Sequence, residues 1–583
     1  MRVLGIEGTA WCASAALYDA ETDSVLIESD PYEPDSGGIH PREAAEHMSE
    51  AVPTVVDEVL TAAEAEYGPD AIDAVAFSRG PGLGPCLRIV GTAARSLAGT
   101  LGVPLVGVNH MVAHLEIGRH RSGFDNPVCL NASGANAHLL GYHDGRYRVL
   151  GETMDAGVGN AIDKFTRHVG WSHPGGPKVE AAAAEFAATA SGSETGEPEG
   201  GAETRPLADA ELLDLPYVVK GMDFSFSGIS SAANDAADDG VPVEEICFSL
   251  QEHVFAMLTE VSERALSLTG ADELVLGGGV AQNDRLREML AAMCEARGAD
   301  FHASEPRFLR DNAGMIAVLG AKMAAAGDTV AIPESAVDPN FRPDQVPVTW
   351  RGGESVARPT EGGTAADGTT GRDPDAARRG AEATVTVVGA EGDRRVVKRR
   401  VEKSYRHPEL DEALRRDRTV AEARLTSEAR RAGVPTPLVY DVDLAAATLT
   451  LQHVGECDLA AALDERATEA VGRDLARLHG AGMVHGDPTT RNVRVSGGGV
   501  AARSESGESD PGPETYLIDF GLGYHTGHVE DHAMDLHVFE GSIRATATDP
   551  DPLIAAFEAG YEAVGDDEVL DRLRDVAGRG RYR

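Results

Sequence analysis

Two groups of residues on this chain have the types and spacing to handle phosphate chemistry, and they are of unrelated kinds. Near the C-terminus, His485-Gly486-Asp487 is followed by Asn492 and then by Asp519-Phe520-Gly521. Protein kinases use that spacing for a catalytic Asp and two magnesium-binding side chains. Near the N-terminus, His110 and His114 lie four apart at an expected helix start, so both imidazoles face one side and could share a metal. A third ligand has to come from elsewhere. Asp311, just ahead of the apolar run 315–323, is the best candidate, although a carboxylate there also suits a helix cap.

Around the kinase-type motif, Lys398 sits among apolar neighbours on an expected strand, and Glu422 on the following helix is its natural ion-pair partner. Lysine is rare here, six against forty-six arginines, and a compact ammonium fills a role a planar guanidinium does not. Kinase mechanics would give Lys398 the α- and β-phosphates of ATP. Asp487 would take the acceptor, and Asn492 and Asp519 magnesium. Gly380-Ala381-Glu382-Ala383 stands where a full Gly-rich loop would be, and no Ala-Pro-Glu closes an activation segment. In the other half, Gly80 to Pro85, Ser133-Gly134, Pro174 to Pro177 and Gly277 to Gly279 are turns that could present N–H groups to phosphate. The last is the most specific, since it follows an apolar strand and leads to Asn283 on the next helix.

Elements must position these groups, and the pattern predicts an α/β architecture. Strands are expected at 2–6, 13–18, 71–77, 105–108 and 273–276, with helices at 41–63, 91–101 and, amphipathic, 245–268. Strands near 384–388 and 395–401, then a helix at 411–432, suit a small kinase N-lobe. Residues 346–379, poor in large apolar side chains, read as a flexible linker between a domain at 1–345 and one at 380–583. Two further low-complexity stretches, 189–205 and 496–514, read as surface insertions. The net charge of −43 with 42% hydrophobic residues excludes a disordered acidic chain and suggests a surface adapted to molar salt. The Debye length near 1 M is only ~3 Å, so a nucleic-acid partner would be held by short contacts. Arg394-Arg395, Lys398 to Arg400, Arg415-Arg416 and Arg579, Arg581 and Arg583 read as an RNA-contact patch. Six scattered cysteines, no signal-peptide pattern and no long apolar stretch predict a cytoplasmic protein without a membrane partner.

The runs Glu7 to Ala10, Gly80 to Pro85, Asn109 to His114, Gly151-Glu152-Thr153, His173 to Pro177, Phe224 to Gly228 and Gly278 to Ala281 occur in consistent order. Together they closely resemble the universal tRNA threonylcarbamoyladenosine transferase family, the catalytic subunit of the KEOPS complex, once labelled O-sialoglycoprotein endopeptidases. The resemblance implies a two-lobed, actin-like (ASKHA) ATPase-type fold with bound iron or zinc. It also implies transfer of threonylcarbamoyl from threonylcarbamoyl-adenylate to N6 of the adenosine 3′ of the anticodon, in tRNAs reading A-starting codons. Carried over by position, it makes His110, His114 and Asp311 metal ligands. Asn131, Ala132, Ser133, Gly134 and Ala135, with Asp163, Gly176, Glu180 and Asn283, would hold the adenylate. One position departs: many relatives have tyrosine where this chain has Asn131, and whether Asn131 or water replaces that ligand is open at this point.

The second half resembles the small atypical Ser/Thr kinase subunit of KEOPS, on Gly380 to Ala383, Ala421 to Arg424, His485 to Asn492, Ile518 to Gly523 and the Arg-rich end. That implies an ATP- and magnesium-binding ATPase or switch acting on its neighbour, with tRNA and other KEOPS subunits as partners. The rivals are a signalling kinase carrying an inert actin-like module, a tRNA-binding scaffold, and a metalloprotease. The last lacks its general base, since Met111 stands where His-Glu-x-x-His has glutamate.

Overall fold

The apolar N-terminal run is a strand, Arg2–Glu7, paired antiparallel with Cys12–Asp19, which pairs in turn with Ser24–Pro31. On its other edge Arg2–Glu7 runs parallel to Ala74–Gly80, and that strand to Leu105–Asn109. The same order recurs further along the chain. Val128–Ala132, Ala137–His143 and Arg146–Glu152 form an antiparallel meander, flanked by the parallel strands Glu273–Gly277 and Asp300–Ala303. Central strands are covered on both faces, which is why they read as continuous apolar runs. The two like sheets are the lobes of an actin-like α/β fold. This computed structural model describes residues 1–32, 40–134, 137–143, 145–190, 210–351, 378–390, 394–496 and 514–577.

One helix of each lobe crosses to the other lobe. His110–Ser122 follows the last strand of the first sheet but packs on the second, with Gly118 against Val275. Ala313–Ala325 follows the last strand of the second sheet but packs on the first, with Gly320 against Ala76. A Cβ at either glycine would collide with the facing strand, so only glycine permits the approach. This exchange sets the starts of the two helices side by side and brings residues two hundred apart in sequence together.

The second domain opens with an antiparallel sheet in the order Arg378–Arg379, Ala383–Val388, Arg395–Arg400, Thr448–Gln452, Val439–Asp443, backed by the helix Pro408–Arg431. The helices Glu465–Gly480, Val529–Thr546, Asp551–Glu562 and Asp567–Ala577 make the lower lobe. The result is a small bilobal, kinase-like domain. Within the expected linker, Val346 and Arg351 are buried on the first domain, Arg351 over the Tyr142 ring, while 352–377 lie outside the described residues. Most of the two expected insertions, and Arg579, Arg581 and Arg583, also lie outside them. No described helix is long and apolar enough to cross a membrane.

The helix expected at 245–268 forms as Val243–Thr269, and its charged residues Glu252, Glu260, Glu263 and Arg264 are at most 9% exposed. The second domain covers Glu260, Glu263 and Arg264, while Arg285 of the first domain pairs with Glu252 at 2.7 Å. Glu260 pairs with Arg406 at 2.6 Å and Arg418 at 3.0 Å, Glu263 with Lys403 at 2.6 Å, and Arg491 donates to the Leu268 carbonyl at 2.9 Å. Burial raises the Glu260 carboxyl, but Arg418, Arg406 and Arg264 outweigh it and bring it down to about 2. The charges that mark an outer face in the sequence are the joint between the domains.

Candidate functional site

Asn109 ends its strand and caps the next helix, its Oδ1 accepting the Val112 N–H at 3.0 Å. The helix therefore starts at His110 and sets His114 one turn on, with ring centres 4.9 Å apart. Asp311 comes from the other lobe. The capping role open to it falls instead to Asn312, whose Oδ1 accepts the Met315 N–H at 3.2 Å. Asp311 Oδ1 is thus left 3.4 Å from His110 Nε2 and 3.2 Å from His114 Nε2, while Oδ2 accepts from Trp11 Nε1 at 3.0 Å. One ligand atom from each of the three residues lies within 4.8 Å of the others.

A carboxylate missed in the sequence completes this cluster. Glu7, fully buried, accepts from His110 Nδ1 at 3.2 Å, from the Thr9 N–H at 2.8 Å and from the Ser78 hydroxyl. It fixes the proton on Nδ1 and leaves Nε2 of His110 facing Asp311 and His114. Burial disfavours a charged His110, but Glu7 and Asp311 hold its pKa up at about 10. Burial likewise raises Asp311, and the two imidazoles more than reverse that, keeping it well below the usual carboxylate range. Glu7, buried, and Asp311, partly buried, leave a surplus of negative charge that the His110 proton neutralises and a divalent cation would neutralise equally. Two imidazole nitrogens and a carboxylate oxygen fit iron or zinc.

The adenylate candidates gather at one end of the second sheet. Asn131 is paired in register with Gly277, and Gly278 (φ 88°) has no room for a Cβ against Ala132 O. Asn131 Oδ1 has no hydrogen-bond partner among the described residues, and Nδ2 lies 3.4 Å from His138 Nε2. Ser133 and Gly134 carbonyls accept from Gly159 and Asn160 at the start of the helix Val158–His168. Asp163 is committed to the Gly175 N–H at 2.7 Å and to His173 at 3.1 Å, just before Gly176 opens the next helix. On that helix Glu180 accepts from the Asp284 N–H at 2.8 Å, while Asn283 caps the helix Asp284–Arg297 and donates to Gln251 at 3.1 Å. Strand ends and helix starts thus converge, with N–H groups suited to phosphate. Ala135 lies outside the described residues. The turn at Gly80 to Pro85 packs instead on Thr9 and Asp338.

In the second domain Lys398 Nζ lies 2.9 Å from Glu422 and 2.7 Å from Asp519. Asp519 is held at φ 68°, a left-handed conformation that costs a non-glycine residue energy and is common at active sites. Asn492 donates to Asp487 Oδ2 at 3.0 Å. Asp535, also missed in the sequence, anchors this loop by accepting the N–H groups of His485 at 2.6 Å and Gly486 at 2.8 Å. From the joint helix, Arg264 reaches Asp487 at 2.8 Å and also pairs with Glu382, which Arg418 holds at 2.7 Å. Gly380 to Ala383 is therefore tied down through Glu382. Burial raises the Asp487 carboxyl, Arg264 opposes that, and Asp519 and Glu382 add to it, leaving it at about 7. Lys398 and Arg400 are buried in these pairs, which removes them from the expected RNA-contact patch; Arg394, Arg399 and Arg416 stay exposed.

Residues 22–318 match the family of tRNA N6-adenosine threonylcarbamoyltransferases, TsaD. The chain belongs to that family. It is 65% identical to a bifunctional tRNA threonylcarbamoyladenosine biosynthesis protein of Halobacterium salinarum, over 100% of this chain and 99% of the relative. Relatives of the same description from Haloquadratum walsbyi and Methanospirillum hungatei are 62% and 46% identical, again over 100% of this chain and at least 99% of theirs. The protein thus joins a domain of the threonylcarbamoyltransferase family to a second, kinase-like domain.

Glu7 should matter to this transferase through His110. Glu7→Ala is expected to lower metal affinity about 10- to 100-fold, read as metal retained after dialysis against graded chelator. Glu7→Gln, which keeps an acceptor, should retain most of it. Equal retention by all three proteins would contradict the assignment.

Proposed function

We propose that the domain at 1–345 transfers threonylcarbamoyl from threonylcarbamoyl-adenylate to N6 of the adenosine 3′ of the anticodon, in cytoplasmic tRNAs reading A-starting codons. The observation that carries this reading is the buried His110–His114–Asp311 cluster beside the converging strand ends and helix starts. The nucleotide end of the adenylate sits among Asn131 to Ala135, Asp163, Gly176, Glu180 and Asn283, with helix N–H groups orienting its phosphate. A mixed anhydride already carries a good leaving group, so no Ser or Cys nucleophile is needed. N6 attacks the carbonyl carbon and AMP departs with the bonding pair. Bound iron or zinc would act as a Lewis acid on a phosphate or carbonyl oxygen. His110, His114 and Asp311 would hold it, and positioning of the weak amine supplies the rest.

The domain at 380–583, joined through 346–379, acts as an ATPase and regulator within a KEOPS-type assembly. Lys398, Glu422, Asn492 and Asp519 hold ATP and magnesium under Gly380 to Ala383, and Asp487 is the catalytic carboxylate. Its pairing with Arg264 favours this over a free signalling kinase, because the first domain occupies the position an acceptor would need. The Gly221 N–H, bonded to Gly486 O at 2.9 Å, closes the same approach.

Mass spectrometry of tRNA nucleosides tests the transfer. Unmodified tRNA, threonylcarbamoyl-adenylate and ATP in molar KCl are supplemented with extract depleted of this protein. Modified adenosine is expected with the native protein and not with His110→Ala/His114→Ala; equal product from both would overturn the reading. Arg264→Met should raise ATP hydrolysis several-fold above pH 8 and move the acid limb upward by about one unit or more. The sign follows from charge: Arg264 lowers the Asp487 pKa, so without it the required carboxylate is lost at a higher pH. Arg264→Lys should restore the native profile, and an unmoved profile in Arg264→Met would show that the pair does not govern Asp487.

A further inference from the structure

A cavity of about 250 Å³ lies in the seam between the two domains, beside the catalytic loop of the second. One wall is the strand Arg146–Glu152 with Met222 and Asp223, and the other is the helix Val529–Thr546. Its chemistry is layered. Leu150, Met222, Leu268 and Val538 are buried and make the interior apolar. Arg146, Arg148 and Arg342 from the first domain and Arg544 from the second are among its lining residues. Arg342 pairs with Asp344 at 3.2 Å and Arg544 with Glu540 at 2.9 Å, and in a chain of net charge −43 four arginines on one cavity are a local concentration of cations.

Two of the four acids in the lining are held partly protonated near neutral pH. Burial and the neighbouring Asp223 push the Glu152 carboxyl up to about 7, and burial pushes Asp223 up to about 7 as well. Asp223 Oδ1 accepts the Glu152 N–H at 2.8 Å, which holds the two carboxyls close. Asp344 pairs with Arg342 at 3.2 Å, and Asp551 is exposed at the edge. Across from the acids stands His537, whose Nδ1 is buried with no hydrogen-bond partner among the described residues. A polar atom stranded in an apolar setting is costly unless something meets it there.

We propose that this cavity binds a free mononucleotide, its phosphate on the arginines and its heterocycle between the apolar walls, with the ring edge facing Glu152, Asp223 and His537. Inorganic phosphate would leave the apolar interior unused, and an apolar ligand would not need four arginines. The position ties the ligand to the second domain's site. Thr489, two residues beyond Asp487, lines the cavity, and Met222 follows Gly221, whose N–H is bonded to Gly486 O. A nucleotide there contacts both domains at once and stabilises their closed arrangement. The inference stands apart from the proposed transfer reaction and does not depend on it.

Hydrogen-exchange mass spectrometry of the full chain in molar KCl locates binding by segment. AMP, ADP, inorganic phosphate and unmodified tRNA are added separately, and peptides covering 146–152 and 537–545 are followed. AMP or ADP is expected to protect both segments. Arg146→Glu/Arg544→Gln should raise the half-saturating concentration at least about ten-fold. Ala545→Leu, which narrows the cavity without altering charge, should do the same. Protection confined to segments around Gly277 to Asn283 and Lys398 to Asp519 would overturn the proposal, as would equal protection in both variants. Equal protection by inorganic phosphate would overturn the nucleoside part, and protection by tRNA alone would overturn the free mononucleotide.

Discussion

The fold of the whole chain turns on a layer of ion pairs buried along one helix. Glu260, Glu263 and Arg264 project from Val243–Thr269 into the second domain and meet Arg406, Arg418, Lys403, Asp487 and Glu382. An exposed pair contributes about 0–1 kcal/mol and fades with salt. Removing one partner of a buried pair instead costs about 3–5 kcal/mol, because a charge is left stranded. For a chain whose composition points to molar salt, this difference decides what can hold two domains together. Long-range attraction between acidic surfaces is not available, whereas short contacts sealed from solvent are.

The same helix reaches both candidate sites. Gln251 accepts from Asn283, a candidate adenylate residue, and Arg264 reaches Asp487 of the kinase-like domain. Thirteen residues of helix separate them, a span of roughly 20 Å at 1.5 Å per residue. Glu252, in a two-pronged pair with Arg285 at 2.7 and 2.8 Å, fixes the helix against the transferase between those points. A shift of this rod would move both sites together.

Much of this was legible in the sequence, and the limit has a physical cause. His110, His114, Lys398, Asp487, Asn492 and Asp519 stand in local spacings set by a helix turn or a tight loop, so their grouping shows in the chain itself. Asp311 needed the helix exchange between lobes to reach the histidines, yet its place before an apolar helix marked it. Glu7, Asp535 and Arg264 left no such trace. Each acts through a partner more than forty residues away, and each sits where a charge is an ordinary strand end or helix face. The helix at 245–268 was legible from its periodicity, but periodicity reports which side is polar and not what covers it. Lys398 to Arg400 read as a basic patch because sequence shows the cations and hides the acids, Glu422, Asp519 and Glu382, that pair with Lys398 and Arg400.

A double-mutant cycle on Glu260 and Arg406, by denaturant unfolding of the full chain at low and at molar KCl, tests the central claim most directly. Buried pairing predicts a coupling of about 1–3 kcal/mol that is nearly the same at both salt concentrations. A coupling that vanishes in molar salt would show a solvent-screened contact, and the joint between the domains would have to lie elsewhere.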